Sequence, residues 1–317
     1  MLNGTSSELP RFDFAGFRVP EPAMAFLSSL PPQIVPFPAR QLGNLGLPKV
    51  LGRSGDLEIR LAQSSRDVRR AQRLRYQVFH EEMAAVPNAR CRFLRRDIDA
   101  YDTICDHLLV VDTSRMDARP GRKPRPMVVG TYRLLRQEQA GPLGFYSQGE
   151  FDIAPLLARH PGKRFLELGR SCVLPDYRTR KTVELLWHGI WAYVRHHRID
   201  VMIGCASLEG TEPAALATRL GFLHHHARAT GEWSAKAHTA RSVPMDMIAA
   251  EQIDAKAALK ALPPLLKGYL RIGARFGDGA VVDHQFGTTD VLVVLPVASI
   301  DPRYVDYYGA EGERYAA

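Results

Sequence analysis

Phe165-Leu-Glu-Leu-Gly-Arg-Ser-Cys-Val-Leu-Pro-Asp-Tyr-Arg-Thr-Arg-Lys-Thr-Val183 reads as a buried strand that runs into a basic turn and then a helix. Glu167 and Arg170 lie inside the apolar strand, where charges are almost never found unless they are paired or used. In a regular strand, residues three apart point to opposite faces. Gly169 stands between them, and a glycine inside a strand often marks a β-bulge. A bulge at Gly169 would turn both side chains toward one cleft and free a backbone N–H for an oxyanion. An acid and a base carried toward a helix N-terminus can abstract a proton and hold an anion, which points to an enzyme. The alternative is a structural Glu–Arg pair at a sheet edge.

Outward from this stretch the periodicity alternates between strand and helix. Leu57–Ala62 has strand period, and Ser64 or Ser65 can cap a helix to about Glu82. Asp106–Val111 and Met127–Leu135 read as strands in hairpin fashion, joined by a basic, Pro-rich loop over 113–126 (Arg115, Arg119, Arg122, Lys123, Arg125). After the quoted strand, residues 180–197 form an amphipathic helix lined by Val183, Leu185, Leu186, Ile190, Trp191 and Val194. Val201–Ala206 is a buried strand. Pro213–Leu220 predicts a short helix ended by Gly221, with Leu220-Gly-Phe222 opening another strand. Leu262–Gly273 predicts a helix with proline in its first turn, and Val291–Leu295 a strand preceded by Asp290. This order describes an α/β fold with a mixed sheet and helices on both sides.

Three segments are expected. Residues 1–55 form an extended or disordered leader, with eight of the 22 prolines before Leu51; a surface-hugging arm is the alternative. Residues 56–250 form the core, and 251–317 a C-terminal extension packed on it. The chain has 317 residues, is 45% hydrophobic and carries a formal charge of +8. No transmembrane helix or secretory signal is evident. Cys91, Cys105, Cys172 and Cys205 form no CxxC pair, which fits a reducing cytosol rather than a disulfide or zinc framework. The positive charge favours an anionic partner: nucleic acid, an acidic protein or an anionic membrane surface. The basic loop has no interleaved aromatics, which weakens the nucleic-acid reading.

Other candidates carry weaker signals. Asp97, Asp99 and Asp102 cluster before a strand and could take a substrate ammonium, or be solvated charges and caps. Arg75 and Phe79 share a helix face, and Arg133 sits within an apolar strand. Arg178, Arg180 and Lys181 precede a helix N-terminus, where cations oppose the macrodipole unless an anion binds. The run His224-His-His226 is expected in a loop or at a strand edge, and it lacks the spaced partners of a metal site, so no metal is expected.

Taken in order, these pieces resemble the GCN5-related acyltransferase fold. In particular they resemble the bacterial L-ornithine Nα-acyltransferases that begin ornithine-lipid synthesis. The matching segments are Leu74–Phe79, Asp97–Asp102, Val129–Leu135, Glu167–Val173, Leu220-Gly-Phe222 and Leu262–Gly273, over roughly 57–308. The set is also similar to the acyl-homoserine-lactone synthases, whose functional positions fall here on Arg75, Phe79, Asp99, Asp102, Arg133, Glu167 and Arg170. The chain length and C-terminal segment favour the ornithine enzymes. An acetyl-CoA-dependent acetyltransferase is a further alternative, disfavoured because the turn Arg178–Val183 has no glycine where the general fold cradles a pyrophosphate.

The resemblance implies transfer of a 3-hydroxy fatty acyl group from acyl carrier protein to the α-amine of L-ornithine. Its phosphopantetheine thioester would serve as co-substrate, with no tightly bound cofactor. Glu167 is then the general base, Gly169 the source of the oxyanion N–H, and Arg170 or Arg133 the carboxylate partner. Asp99 and Asp102 would take the side-chain ammonium, and Arg178, Arg180 and Lys181 the pantetheine phosphate or carrier. The implied location is cytoplasmic, peripheral on the anionic inner face of the membrane.

Overall fold

The computed structural model describes residues 46–118, 121 and 123–304. Its strands are β1 (Gly52–Ser54), β2 (Leu57–Leu61), β3 (Asp106–Asp117), β4 (Arg125–Arg136), β5 (Phe151–Asp152) and β6 (Phe165–Val173). They continue with β7 (Val201–Glu209), β8 (Lys236–Ala237), β9 (Ser242–Val243), β10 (Arg275–Phe276), β11 (Ala280–Asp283) and β12 (Thr288–Pro296). One ten-stranded sheet runs β1-β2-β3-β4-β6-β7-β12-β11-β9, with β10 also on β12; β5 and β8 pair separately. Among the strand pairs of the described residues, β6 with β7 alone is parallel, which makes the sheet mixed, as expected.

Strand alternation sorts the sheet into two cores. Leu166, Leu168, Met202, Ala206, Val291 and Val293 join one. Phe165, Val201, Ile203, Cys205, Leu292 and Val294 join the other. Glu167 shares the parity of Phe165 along β6, and Asp290 that of Leu292 along β12, so both belong to the second face. The candidate site is built there.

The quoted stretch folds as read: β6, a short turn, and the helix Arg180–His197, whose N-cap Thr179 accepts the Thr182 N–H at 3.4 Å. Ser64 likewise caps the helix Ser65–Tyr76, accepting the Asp67 N–H at 3.2 Å. That helix widens into π-type turns over Gln77–Glu82, reaching the expected end. The helix Pro264–Arg271 begins with proline as expected.

Several expectations need correction. Leu220-Gly-Phe222 is not a strand, and Gly221 ends no helix; both lie within the helix Ala217–Ala227. A Cβ at Gly221 would come within 2.8 Å of Ile253 Cδ1, so this glycine serves close packing rather than capping. His224–His226 therefore occupy the last turn of a helix, not a loop. The loop expected over 113–126 is largely taken into β3 and β4; Arg119 and Arg122 lie outside the described residues. Regular structure begins earlier than Leu57, since β1 pairs with β2 through Gly52↔Ile59. Most of the expected leader lies outside the described residues. No helix among the described residues is long and apolar enough to cross a membrane.

Candidate active site

The expected bulge is present, shifted past the glycine. Thr131 pairs with Cys172 and Arg133 with Gly169, so Tyr132 faces both Arg170 and Ser171. Arg170, not Gly169, takes the left-handed conformation, with φ at 50°. That conformation costs a non-glycine residue about 1–2 kcal/mol. The kink brings the guanidinium to Asp99 Oδ2 at 3.2 Å and Asp97 Oδ2 at 3.4 Å. It also stacks on Phe286 at 5.1 Å, Tyr146 at 5.7 Å and Phe79 at 5.9 Å from the ring centres. Strain held at a buried cation is a signature of functional sites.

Beside the bulge, the parallel strands part. β6 and β7 pair only from Phe165↔Val201 to Glu167↔Ile203. A Cβ at Gly204 would sit 2.3 Å from the Leu168 carbonyl oxygen, so only glycine lets the strands pass there. Glu167 is the last paired residue of this fork. Its carboxylate accepts the backbone N–H groups of Tyr146 and Ser147, each at 2.7 Å. Burial raises the Glu167 pKa, opposed by those hydrogen bonds and by the field of Arg133. A cavity opens at this point, lined by Arg133, Leu135, Tyr146, Glu167, Gly169 and Cys205.

Three arginines and three aspartates form a buried network next to it. Arg75 is fully buried and holds Asp97 through Nε at 2.7 Å and Asp102 through Nη1 at 2.8 Å. Arg133 holds Asp99 at 2.6 Å, lies 3.5 Å from Asp102, and rests over the Tyr101 and Tyr146 rings. Asp99 and Asp102 also form a capping box over Ala100–Thr103. Arginine neighbours hold the carboxyls of Asp97, Asp99 and Asp102 below the usual range despite burial. The lone pairs of Asp99 and Asp102 are thus already engaged. In this arrangement they hold Arg75, Arg133 and Arg170 in place.

Arg75, Phe79, Asp99, Asp102, Arg133, Glu167, Gly169 and Arg170 all come together here. Arg178, Arg180 and Lys181 stand apart, at the head of the helix Arg180–His197. Arg178 pairs with Glu82 at 2.6 Å, Arg180 with Glu184 at 2.7 Å, and Lys181 is exposed. No metal-like grouping involves the histidine run among the described residues. The group with ligand-like spacing is Glu150, Asp283 and Asp290.

Sequence reasoning placed no weight on Tyr146 and Ser147, because their hold on Glu167 is made by backbone N–H groups. Asp97 carried the same weak signal as its neighbours. Asp290, an acid heading an apolar run, was a legible sign of a buried charge; Glu150 and Asp283 had none.

Comparisons with known proteins bear on the family of the chain. The family described as "Acetyltransferase (GNAT) domain" matches residues 74–188. An L-ornithine N(alpha)-acyltransferase of Agrobacterium fabrum (strain C58) is 57% identical over 84% of this chain and 89% of its own length. That of Rhizobium meliloti (strain 1021) is 54% identical over 84% of this chain and 89% of its own. Among solved structures, an N-acyl amino acid synthase from uncultured soil microbes covers 76% of this chain and 91% of its own, at 10% identity and a TM-score of 0.41, too distant to carry an argument. With more than half of the aligned residues identical to such relatives over most of both lengths, the chain is an N-acyltransferase and belongs to the L-ornithine Nα-acyltransferase family.

Proposed function

We propose that the protein transfers a 3-hydroxy fatty acyl group from the phosphopantetheine thioester of acyl carrier protein to the α-amine of L-ornithine, giving lyso-ornithine lipid. The observation that carries this reading is Glu167 held at the mouth of the β6–β7 fork beside two buried arginines. The α-ammonium gives one proton to Glu167, directly or through one water. The freed amine attacks the thioester carbon, and the carbonyl oxygen becomes an oxyanion held by a backbone N–H at the bulge. Collapse breaks the C–S bond, the nitrogen sheds its second proton, and the thiolate leaves as a thiol. A glutamate with a pKa raised by burial is better matched to this proton transfer than an ordinary one. Arg170 has a buried Nη1 with no hydrogen-bond partner among the described residues, which suits the ornithine carboxylate.

The donor reading rests on the turn before the helix Arg180–His197. Side chains occupy the place where a pyrophosphate wants bare backbone, while Arg178, Arg180 and Lys181 offer cations to a single phosphate or an acidic carrier. The net charge of +8 also suits a protein that works peripherally at the anionic inner face of the membrane. The test is acyl transfer by the purified protein. It takes 3-hydroxypalmitoyl carrier protein, 3-hydroxypalmitoyl-CoA or acetyl-CoA with ornithine, lysine, glutamine or S-adenosylmethionine, and reads products by mass spectrometry. An ornithine amide formed fastest from the carrier protein supports the reading. Equal or faster use of the coenzyme A thioesters overturns the donor assignment.

A further inference from the structure

Farther along the face that carries Glu167 lies a second buried charge cluster, unused by the mechanism above. Glu150, Asp283 and Asp290 are 0%, 2% and 0% exposed, and each can bring a carboxylate oxygen within 4.8 Å of the other two. They come from three places: the turn after Tyr146–Gly149, the end of β11, and β12. In the neighbouring network three guanidinium groups answer three carboxylates. For Glu150 and Asp283 the guanidinium groups stand farther off. Arg241 reaches Glu150 only at 3.8 Å from a partly exposed position, and Arg170 acts on Asp283 only through its field. Asp283 Oδ1 accepts the backbone N–H groups of Gln285 at 2.8 Å and Phe286 at 3.0 Å. Its Oδ2 is buried with no hydrogen-bond donor among the described residues, and the Glu150 oxygens, equally buried, have no N–H or O–H donor there, only the weakly donating Cys205 thiol. Anionic oxygens buried in this way call for a cation that brings its own donors.

The spacing admits such a cation. A triangle with edges no longer than 4.8 Å has its centre no more than about 2.8 Å from each corner, within reach of an N⁺–H···O⁻ hydrogen bond. A primary ammonium has three N–H donors for three carboxylates. A divalent ion would draw its oxygens in to about 2.0–2.6 Å and take six or more of them.

The cluster's position ties it to the reacting end. Ser147 donates its N–H to Glu167 Oε1 at 2.7 Å, and its carbonyl accepts the Glu150 N–H at 3.1 Å. One 3₁₀ turn therefore links the general base to the acid cluster. Between them, Cys205 lines the Glu167 cavity and its thiol neighbours Glu150. The two nitrogens of an extended 2,5-diamino acid are about 6 Å apart, the span it would bridge from Glu167 to the cluster.

We infer that Glu150, Asp283 and Asp290 form the subsite for the terminal ammonium of the diamino-acid acceptor, so that seating it there leaves the α-amine at Glu167. This rests on the reading of the acceptor as ornithine. The experiment compares kcat/KM for L-ornithine and for L-norvaline, which lacks only the terminal amine, in the wild type, Asp283→Asn and Glu150→Gln. Where norvaline turnover is too slow to measure, its Ki against ornithine replaces its kcat/KM. Circular dichroism and a thermal melt accompany each variant. The expected result is a wild-type preference for ornithine that falls at least about 30-fold in each variant, mainly through the KM for ornithine. A ratio unchanged in folded variants overturns the inference while leaving ornithine acylation standing. Activity lost to EDTA and restored by Mg²⁺ or Ca²⁺ also overturns it, by making the cluster a metal site. Failure of the wild type to acylate ornithine at all is a separate result, and it removes the underlying reading instead.

Discussion

Arg75 and Asp102 meet in a two-pronged ion pair, Nη1 to Oδ1 and Nη2 to Oδ2, each at 2.8 Å, with Arg75 wholly buried. The pair fixes the segment Asp97–Thr103, and through Asp99 it fixes Arg133 and Arg170. Breaking a buried pair leaves the remaining charge without its partner, at a cost of about 3–5 kcal/mol. Arg75→Met should lower unfolding stability by that amount. Arg75→Lys should recover little of it, since an ammonium cannot reproduce the planar fork. Urea denaturation measures both. A loss under about 1 kcal/mol for Arg75→Met would mean that the network is not a structural anchor.

The same residues show what a sequence can reveal. Arg133, Glu167 and Arg170 stood out because each is a charge within an apolar pattern, and such a charge needs a partner; Arg75 was marked only by sharing a helix face with Phe79. The partners' roles were not legible. Asp99 and Asp102 looked like ligands for an incoming cation, yet they already serve Arg133 and Arg75, from 34 and 27 positions away. Long-range pairing of that kind leaves no periodic trace. The bulge was legible through Gly169, but its placement at Arg170 depends on the register with β4. Gly221 misled because a helical glycine that admits Ile253 looks, in sequence, like one that ends a helix. The order of strands and helices was readable because hydrophobic period decides it, whereas the two short bonds from Tyr146 and Ser147 to Glu167 are made by backbone N–H groups, which no side-chain pattern marks.

Glu167→Gln should reduce kcat/KM by about 10²–10⁴-fold, the usual contribution of a general base. The amide can accept only one of the two N–H groups now bound, so a stability loss of about 1–2 kcal/mol should accompany it. In the wild type, the raised pKa of Glu167 means that the carboxylate form disappears at a higher pH than for an exposed glutamate. kcat/KM should therefore fall as pH is lowered, with an apparent pKa above the ordinary glutamate range. That acid limb should vanish from the residual activity of Glu167→Gln. Its persistence there would assign the titration to another group.

Gly204→Ala tests the fork. Its Cβ would meet the Leu168 carbonyl oxygen at 2.3 Å, and backbone atoms on paired strands have little room to move. Strand separation or a register shift should cost about 1–3 kcal/mol and displace Glu167, whose pairing with Ile203 is the last before the strands part. Activity should fall more than 10-fold even well below the melting temperature, since small misplacements of a reacting group are costly. Wild-type kcat and melting temperature in Gly204→Ala would show that β6 and β7 have more freedom than their close approach implies.

The two buried charge clusters should answer pH with opposite signs. Asp97 and Asp102 have carboxyls held down by arginines. Their contribution to stability is present above the unfolded-state pKa and is lost as pH falls through the folded value. Glu150 is pushed well above its ordinary pKa by burial and by Asp290, and Asp283 is raised by burial. For these two, stability is greatest below the unfolded-state pKa and is lost as pH rises through the folded value. Asp283→Asn removes one such charge while keeping an Oδ1 that can accept the Gln285 and Phe286 N–H groups. Its amide N–H can also donate to Glu150 and Asp290. At neutral pH the variant should be more stable than the wild type, by about 2–4 °C in melting temperature for each kcal/mol gained. The gain should shrink as pH is lowered toward the range where Asp283 is already protonated. Asp97→Asn should be destabilised at neutral pH, with its deficit shrinking only in strong acid. Stability held below its optimum by a functional group is the expected cost of keeping a binding site charged. Thermal melts of the two variants from mildly acidic to mildly alkaline pH measure the contrast. If Asp283→Asn melted at or below the wild-type temperature at neutral pH, the cluster would be stabilising in its own right, with its charges already balanced inside the protein.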